Sequence, residues 1–409
     1  MTTELTTDSV LRQKRCPYPP APGHSPESLA EPVARVRTPK GMEAWMVTGY
    51  TDAREIFGDP ERFSARPNSI AHLVPHLDPE SEVKEGQFNR MDGKAHFRFR
   101  RLVGTEMTRA KRMTELRPAL RQLVDERVDE LAKLDRSADL YADFAVPLTA
   151  GAIAAFLDIP LADRLLFQQA AQAQLNPLVD ADGAAAAKGP LRKYIARLVE
   201  QRRTHPGDDP VSRLIARSDA SSEPFTDWEL NKLSFMLVTT GFFATAAILS
   251  ECVLTLLRHP DELALLRADP SLVPSAVEEL LRYLAAQPGL LRVATVDTEI
   301  AGCPIKAGDY VIVGAGAANF DADAFPDPAR LDLARKSNQH LGFGYGPHQC
   351  IGHQLARLEL AVAIAALVRR IPTLRLASTE TPSRHTEGGI IPGPVSLSVN
   401  WNEILPATA

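Results

Sequence analysis

The chain has 409 residues, of which 44% are hydrophobic and 24% are charged, a composition typical of a globular protein with a large core. Its net charge of -5 and sequence pI of about 6.1 argue against a general nucleic-acid binder. The four cysteines (Cys16, Cys252, Cys303 and Cys350) are too few and too scattered for a disulfide framework. The sequence has no CxxC pair, so a structural zinc site is not expected.

The N-terminal half reads mostly as helix, with one clear strand. It opens with MTTELTTDSVLRQKR, which is polar and lacks the apolar core of a signal peptide, so we expect a cytoplasmic protein. EAWMVTGY (43–50) is rich in β-formers and predicts a strand, whereas MTELRPALRQLVDERVDELAKL (113–134) has helical periodicity. Residues 65–90 and 173–190 read as long loops, which in a compact enzyme tend to cover a ligand.

An uncharged segment, LSFMLVTTGFFATAAILS (233–250), lies within a longer helical pattern. Thr226 and Glu229 form a capping box that opens this helix, and Pro260 ends it. The segment is long enough to cross a bilayer, but its polar residues, its central Gly241 and the missing basic flank argue against a membrane span. The pattern predicts instead a helix buried on all sides.

The C-terminal third alternates helices and strands. PSAVEELLRYLAA (274–286) and CIGHQLARLELAVAIAALVRRI (350–371) have helical periodicity, whereas GDYVIVGAG (308–316) and VSLSVNW (395–401) have strand patterns. No internal repeat is visible. Together these elements predict a mainly α-helical fold with small β-sheets.

The segment HLGFGYGPHQC (340–350) combines three glycines with a lone cysteine. Glycines let the backbone approach a flat object closely, because no Cβ stands in the way. Cys350 precedes a predicted helix, whose N-terminal dipole and free N–H groups favour thiolate over thiol, and such a thiolate suits axial ligation of haem iron. His348 is placed to reach the carboxylate edge of that cofactor. The alternative is a buried structural cysteine after a glycine-rich turn.

The spacing F-G-x-G-x-H-x-C-x-G, followed by L-A-R-x-E, resembles the cysteine loop of the cytochrome P450 superfamily, the haem-thiolate monooxygenases. EELLR has the family's E-x-x-R spacing with Glu279 and Arg282. Alone, that second motif is common and usually marks a surface ion pair. The cysteine-loop pattern, in contrast, is highly specific.

Three further segments carry the resemblance in the same order along the chain. MDGKAHFRFRRLV resembles the family's D-P-P-x-H-x-x-x-R-R, with His96 and Arg100 in register. LLRVATVDTEIAGCPIKAGDYV places Arg292 where bacterial members keep a propionate-binding arginine. ANFDADAFPDPARLDLAR resembles the meander segment, with Phe320 where arginine is usual. The whole chain looks most similar to actinobacterial members of natural-product pathways.

This resemblance implies a single cytochrome P450 domain over residues 1–409, with β-regions around 30–60, 290–320 and 380–402. The implied fold is a triangular prism in which haem b (iron protoporphyrin IX) lies buried between a central roof helix and the cysteine-ligand helix. Cys350 is then the axial iron ligand, and Glu279 and Arg282 are structural. The other implied cofactor-binding residues are His96, Arg100, Arg292, Phe343, His348 and Gly352. The basic ones among them would pair with the two propionates, which need cationic or donor partners when buried.

The roof helix departs from the family pattern A-G-x-[DE]-T-T, in which the acid and the alcohol help to deliver the two protons that O–O cleavage consumes. This chain reads TTGFFATAA (239–247). Aligning Gly241 places Phe243 at the acid and Ala244 at the alcohol, and neither side chain can relay a proton. Thr245 follows by one residue, about 100° further round the helix, so its hydroxyl should point elsewhere. We therefore treat Phe243, Ala244 and Thr245 as an atypical catalytic roof.

Two readings of this roof stay open. In the first, Phe242 and Phe243 fill core space while water or a substrate group supplies the protons, as in a conventional hydroxylase or epoxidase of a polyketide or peptide. In the second, the two rings shape a pocket for an aromatic substrate, and the reaction is oxidative C–C or C–N coupling, for example of cyclic dipeptides. Atypical relays occur among family members that couple aromatic rings, and this analogy favours coupling.

The substrate pocket implied by the resemblance is apolar, which predicts an uncharged, hydrophobic substrate. Its expected lining comprises Val238, Gly241, Phe242, Ala244, Thr245, Leu290, Leu291, Ile390 and Ile391.

No flavin or iron–sulfur domain is visible, so the resemblance implies electrons from NAD(P)H through an external ferredoxin and reductase. We expect a monomer without nucleic-acid or membrane partners. Two rival functions stay open. One is a catalytically silent helper of another enzyme, although such relatives typically lose the cysteine. The other is peroxide-driven catalysis, although the roof has no arginine to hold a carboxylate substrate.

Overall fold

The computed structural model describes residues 31–38, 40–66, 88–160, 163, 166, 181–284, 289–378 and 396–407, except the side chains at 89, 181–188, 239, 240, 242 and 243. The described residues fall into two compact units. The first holds those within 1–97 and 278–350, and the second holds those within 98–277, 351–378 and 396–407. A single domain over 1–409 stays a prediction.

Helices make up most of the described chain, as the sequence predicts. They are α1 (Tyr50–Gly58), α2 (Gly93–Met107), α3 (Ala110–Leu131), α4 (Val146–Phe156), α5 (Ala181–Thr204), α6 (Pro210–Asp219), α7 (Asp227–Arg258), α8 (Pro260–Ala268), α9 (Val273–Leu284), α10 (Ala315–Ala318) and α11 (His353–Arg370). Residues 181–190, expected as loop, are instead the start of α5, because their alanine run favours helix. Of the loop expected at 65–90, the described part is 65–66 and a short 3-10 helix at Phe88–Arg90. Residues 67–87 and 173–180 lie outside the described residues.

The described strands are short. They are β1 (Val33–Arg37), β2 (Glu43–Val47), β3 (Phe63–Ser64), β4 (Ser137–Asp139), β5 (Leu290–Ala294), β6 (Thr298–Ile300), β7 (Cys303–Ile305), β8 (Tyr310–Val313), β9 (Arg375–Leu376) and β10 (Ser398–Asn400). The strands expected at 43–50, 308–316 and 395–401 are therefore confirmed as β2, β8 and β10.

The first unit is organised around a five-stranded sheet with the order β1-β2-β8-β5-β3. The pairing of β2 with β8 is parallel and the other pairings are antiparallel. Alternating side chains bury both faces: Val47 and Val313 belong to one cluster with Phe57 of α1, whereas Met46 and Ile312 belong to the other. This sheet holds the strand that carries Arg292.

The second unit is a helical assembly in which α4 packs against both α3 and α7. A Cβ at Gly151 of α4 would stand 2.8 Å from a methyl group of Leu123 in α3, so the two helices approach at van der Waals distance only because the glycine is there. A three-stranded sheet with the order β4-β10-β9 completes the unit.

The uncharged segment 233–250 forms the middle of α7, and the capping box of Thr226 and Glu229 opens this helix as predicted. The helix is not buried on all sides, because Gly241 and Ala244 are half-buried whereas Leu249 is fully buried. Among the residues that the structure describes, no helix combines the length and hydropathy of a membrane span.

Candidate functional site

Cys350 lies at the end of a tight turn in the first unit. Gly344 and Gly346 have φ of +69° and +70°, which side chains rarely allow, and a Cβ at Gly346 would stand 2.6 Å from the carbonyl oxygen of Phe57. The amide of Cys350 donates to the carbonyl of Phe343 at 2.8 Å and closes the turn. The glycines therefore serve this turn and its packing on α1, and the thiol at its end is exposed.

The thiol lies further from the following helix than the sequence indicates. The helix α11 begins at His353 with Gly352 at its N-cap, so Cys350 precedes the first helical residue by three positions. The effect of a helix dipole falls off within about one turn, so α11 favours the thiolate less than a cysteine in the first turn would experience. Within the described part of the chain, a Cβ at Gly352 would meet only Met107, at 3.9 Å, so no close approach there requires glycine.

Two histidines from separate motifs meet in the first unit. The rings of His96 and His348 stack with centroids 4.0 Å apart and an interplanar angle of 19°. His348 Nε2 lies 3.4 Å from Oδ1 of Asp92, whose carboxylate also accepts from the Ser64 hydroxyl and from the amide of Ala65. Burial raises the pKa of Asp92, but the imidazole and these two donors outweigh it and lower that pKa to about 2. Asp92, which sequence reasoning missed, is therefore an anion beside His348.

Arg292 in β5 is nearly completely buried, with 6% of its surface exposed. Its guanidinium donates to the carbonyl of Leu291 at 2.9 Å and lies 5.3 Å from the ring centre of Phe57. Burial lowers the pKa of Arg292 to about 10, and the charge of Asp92 opposes this only in part. A guanidinium has five N–H donors, so Arg292 has several to spare for a carboxylate.

Glu279 and Arg282 of α9 form a fully buried bidentate ion pair, with both N–O distances at 2.8 Å. Glu279 also accepts from Arg335 at 3.0 Å and from Asn338 at 2.9 Å. Arg282 in turn donates to the carbonyl of Asn319 at 2.8 Å. The pair is therefore the centre of a polar network that organises the meander segment rather than a surface ion pair.

Sequence reasoning missed the meander partners of this network, Arg335, Asn338 and Asn319, although Arg335 ends the segment that resembles the family meander. Phe320, which replaces the usual arginine, lies with its ring centre 5.2 Å from the guanidinium of Arg282. At that distance the aromatic face forms a cation–π contact with the buried arginine.

The other two implied cofactor-binding residues are half-buried. Arg100 follows His96 by four residues on α2, so both project from the same face of that helix. Phe343 lies in the cysteine turn, with its ring centroid 5.9 Å from that of His340.

The roof helix α7 shows two features that bear on proton transfer. The hydroxyl of Thr245 donates to the carbonyl of Gly241, four residues earlier in the helix, at 2.9 Å. A Cβ at Gly241 would stand 3.0 Å from Cδ1 of Ile153 in α4, so this glycine permits helix packing. The side chains of Phe242 and Phe243 lie outside the described residues.

The predicted pocket residues are placed unequally. Leu290 and Leu291 belong to clusters on opposite faces of the sheet, so they cannot both line one pocket, and Leu291 is core. Val238 is fully buried in α7. Ile390 and Ile391 lie outside the described residues. Leu290 shares its face of β5 with Arg292 and stays a candidate.

Comparison with known proteins decides the family. The family model for cytochrome P450 matches residues 179–399. Nocardicin C N-oxygenase of Nocardia uniformis subsp. tsuyamanensis is 37% identical over 383 residues, which cover 93% of this chain and 95% of the relative. This chain belongs to the cytochrome P450 family. Mycinamicin IV hydroxylase/epoxidase of Micromonospora griseorubida is 40% identical over 374 residues, covering 91% of this chain and 93% of that P450.

The solved structures agree with this assignment. The crystal structure of a mutant of the P450 CYP105P1 matches with a TM-score of 0.87 at 35% identity, covering 94% of this chain and 100% of that one. The expected P450 fold is therefore confirmed. The chain is a bacterial P450 monooxygenase of the natural-product type.

Haem is the cofactor of this family, and the residues of the first unit fit it. The turn presents the exposed thiol of Cys350, which would hold the iron, and the buried Arg292 has spare donors that would hold a propionate with His348. Bound haem supplies the reductive activation of O2. The protein's own part is to hold the thiol, to balance the propionate charge and to bind the substrate.

Proposed function

We propose that this P450 is a hydroxylase or epoxidase of an uncharged, hydrophobic natural product. In the balanced reaction, one atom of O2 enters the substrate and the other leaves as water, and two electrons and two protons are consumed. The electrons come from NAD(P)H through an external reductase and ferredoxin.

The observation that carries the proposal is similarity over more than nine-tenths of the chain to two relatives named for oxygen insertion, an N-oxygenase and a hydroxylase/epoxidase. The retained Cys350, Glu279 and Arg282 argue against a silent helper. Oxidative coupling, which the sequence favoured, has no support in the names of these relatives. We therefore place oxygen insertion first.

The protons must come from outside the usual acid–alcohol pair. Phe243 and Ala244 occupy those positions, and the hydroxyl of Thr245 is bonded to the carbonyl of Gly241. Ordered water or a polar group of the bound substrate is then the remaining donor, which makes proton supply depend on the substrate. We expect poor substrates to consume NAD(P)H without forming product.

The test is turnover of the haem-loaded protein with ferredoxin, reductase and NADPH under isotopically labelled O2. The substrates are mycinamicin IV, nocardicin C and an aromatic cyclic dipeptide, and the masses of the products are measured by mass spectrometry. Gain of one labelled oxygen atom supports the proposal. Loss of two hydrogen atoms with no label, seen with the dipeptide, would establish coupling instead.

Two controls separate the rival functions. The Cys350→Ser variant should bind haem poorly and give no product, whereas Cys303→Ser, at a half-buried cysteine in β7, should turn over normally. Replacing the ferredoxin and reductase with peroxide tests the peroxide-driven alternative. Turnover with peroxide but not with ferredoxin would remove the external electron donor from the proposal.

A further inference from the structure

The cysteine turn is supported by a histidine and a glutamate, neither of which the family resemblance singled out. His340 is almost completely buried, with its side chain 1% exposed. Its Nε2 lies 3.0 Å from a carboxylate oxygen of Glu278 in α9, and its Nδ1 lies 3.0 Å from the amide nitrogen of Gly342. The imidazole therefore connects a helix to the start of the turn.

The partners determine which nitrogen of His340 carries the proton. A backbone N–H can only donate, so Nδ1 must accept from Gly342 and has no proton of its own. The carboxylate of Glu278 accepts, so Nε2 carries the proton and donates to it. Glu278 thus fixes the ring in the one neutral tautomer that can accept from the turn.

The approach of the ring explains a glycine that no positive φ requires. A Cβ at Gly342 would stand 2.9 Å from Nδ1 of His340 and 3.1 Å from the carbonyl oxygen of Leu281. Both distances are too short for an alanine without movement of the backbone or the ring. Gly342 is therefore a glycine because a histidine side chain bonds its amide at close range.

The neighbouring amide is held in the same way. The N–H of Leu341 donates to the side-chain oxygen of Asn319 at 2.7 Å, and Asn319 is fully buried. The chain then turns, with the amide of Gly344 donating to Leu341 at 2.8 Å. The side chains of Asn319 and His340 thus hold the amides of residues 341 and 342. The carbonyl of the next residue, Phe343, accepts from the Cys350 amide.

We propose that His340, oriented by Glu278, is a positioning residue for the thiolate of Cys350 and acts through the amide of Gly342 and the carbonyl of Phe343. Without the acceptor at Nδ1, a buried N–H loses its partner and the turn relaxes toward solvent. The turn would then hold the Cys350 sulfur less firmly, and thiolate ligation of a bound haem would be lost more readily. This proposal rests on haem-thiolate ligation and is independent of the substrate.

The experiment compares variants of the haem-loaded protein by the Soret spectrum of the reduced carbon monoxide complex, which distinguishes thiolate from thiol ligation. His340→Phe keeps the ring volume but removes the acceptor, and we expect its thiolate form to be lost about tenfold faster. His340→Asn keeps an acceptor near the position of Nδ1 and should recover most of the wild-type lifetime. Glu278→Leu should fall between them, whereas Glu278→Gln, which still accepts from Nε2, should resemble wild type.

The matched controls are His205→Phe and Glu115→Leu, at exposed positions. A His340→Phe protein whose thiolate spectrum lasts as long as that of wild type would overturn the proposal, and so would a folded His340→Asn protein no better than His340→Phe. If His340→Phe does not fold, the lifetimes of the thiolate form in His340→Asn and Glu278→Leu test the proposal. A Glu278→Leu protein with the lifetime of wild type would then overturn it. Failure of the proposed oxygen insertion would leave these spectra unchanged, whereas a wild-type protein without a thiolate spectrum would refute haem-thiolate ligation itself.

Discussion

At the scale of single residues, the roof of this P450 has lost two chemical groups at once. In the alignment on Gly241, Phe243 and Ala244 are expected to replace an acid and an alcohol, and the hydroxyl of Thr245 donates to the backbone of its own helix. Each replacement removes a proton carrier without adding a charge. We therefore expect the route of proton delivery in this enzyme to differ from that of its family.

Restoring the two groups tests that difference. The Phe243→Asp and Ala244→Thr double variant should raise the fraction of NADPH that ends in product, because a positioned acid and alcohol typically speed proton transfer by about a hundredfold or more. The measurement is product formed per NADPH consumed. Thr245→Val is the matched control and should leave the product formed per NADPH unchanged. An unchanged ratio in the double variant would mean that protons never pass these positions.

A second residue-scale feature is Glu359 in α11, which is 4% exposed. Its Oε2 has no hydrogen-bond partner among the described residues. Burial raises the pKa of Glu359 well above its ordinary value of 4.5. The folded protein therefore keeps this carboxyl protonated at pH values where the unfolded chain releases the proton.

This raised pKa predicts how stability depends on pH. Because the folded state binds the extra proton, the free energy of unfolding should fall as pH rises above about 4.5, by up to about 1.4 kcal/mol per pH unit from this group. Glu359→Gln removes the proton exchange, so its stability relative to wild type should increase between about pH 5 and about pH 8. Denaturant unfolding across that range measures it, with exposed Glu115→Gln as the control. Parallel curves for Glu359→Gln and wild type would show that the carboxyl is ionised in the fold.

At the scale of elements, the contact between α4 and α7 shows how one missing methyl group sets a helix position. Gly241 lacks the Cβ that would stand 3.0 Å from Cδ1 of Ile153. In a helix, alanine is favoured over glycine by about 1 kcal/mol, so glycine is retained at a cost in propensity. Packing, rather than local preference, decides this residue.

A double-mutant cycle measures that packing. Gly241→Ala alone should change stability little, because crowding offsets the gain in propensity, whereas in an Ile153→Val background, which removes Cδ1, it should stabilise by about 1 kcal/mol. The four free energies of unfolding give the coupling directly. Additive effects would mean that Ile153 does not restrict residue 241.

At the scale of the whole molecule, the C-terminal segment of the second unit is held by one buried arginine. Arg370 donates from Nε to the carbonyl of Leu405 at 2.9 Å and from Nη1 to Asp125 at 3.1 Å, and it also pairs with Asp129. The amide of Leu405 donates back to the carbonyl of Arg370 at 2.8 Å. The segment around Leu405 is thereby hydrogen-bonded to Arg370 of α11, which in turn pairs with α3.

Removing this arginine should loosen the end of the chain. We expect Arg370→Gln to destabilise the fold by about 2–3 kcal/mol, since several buried hydrogen bonds are lost together. Arg369→Gln is a close control, because its side chain is 52% exposed and 3.7 Å from the same Asp125, and it should cost less than about 0.5 kcal/mol. Thermal unfolding measures both. Equal losses would mean that the fastening depends on charge alone.

The sequence predicted the family, the longest helices and three of the strands, because each depends on residues close together in the chain, and it proposed Cys350 as the axial ligand. The cysteine loop, the capping box of α7 and the helical periodicities are local patterns, and their physical causes act over a few residues. The helix at 181–190, where an alanine run outweighed an apparent loop, and the start of α11 at His353 rather than Cys350 differ from the prediction.

Which of these parts come into contact is visible only in the three-dimensional fold. The stacking of His96 on His348 and the hydrogen bond between His340 and Glu278 each join segments that are distant in the chain. Such contacts are set by the packing of several elements at once, and no local pattern encodes them. That is why the sequence could predict the thiol ligand, while the structure was needed to find the residues that hold its turn.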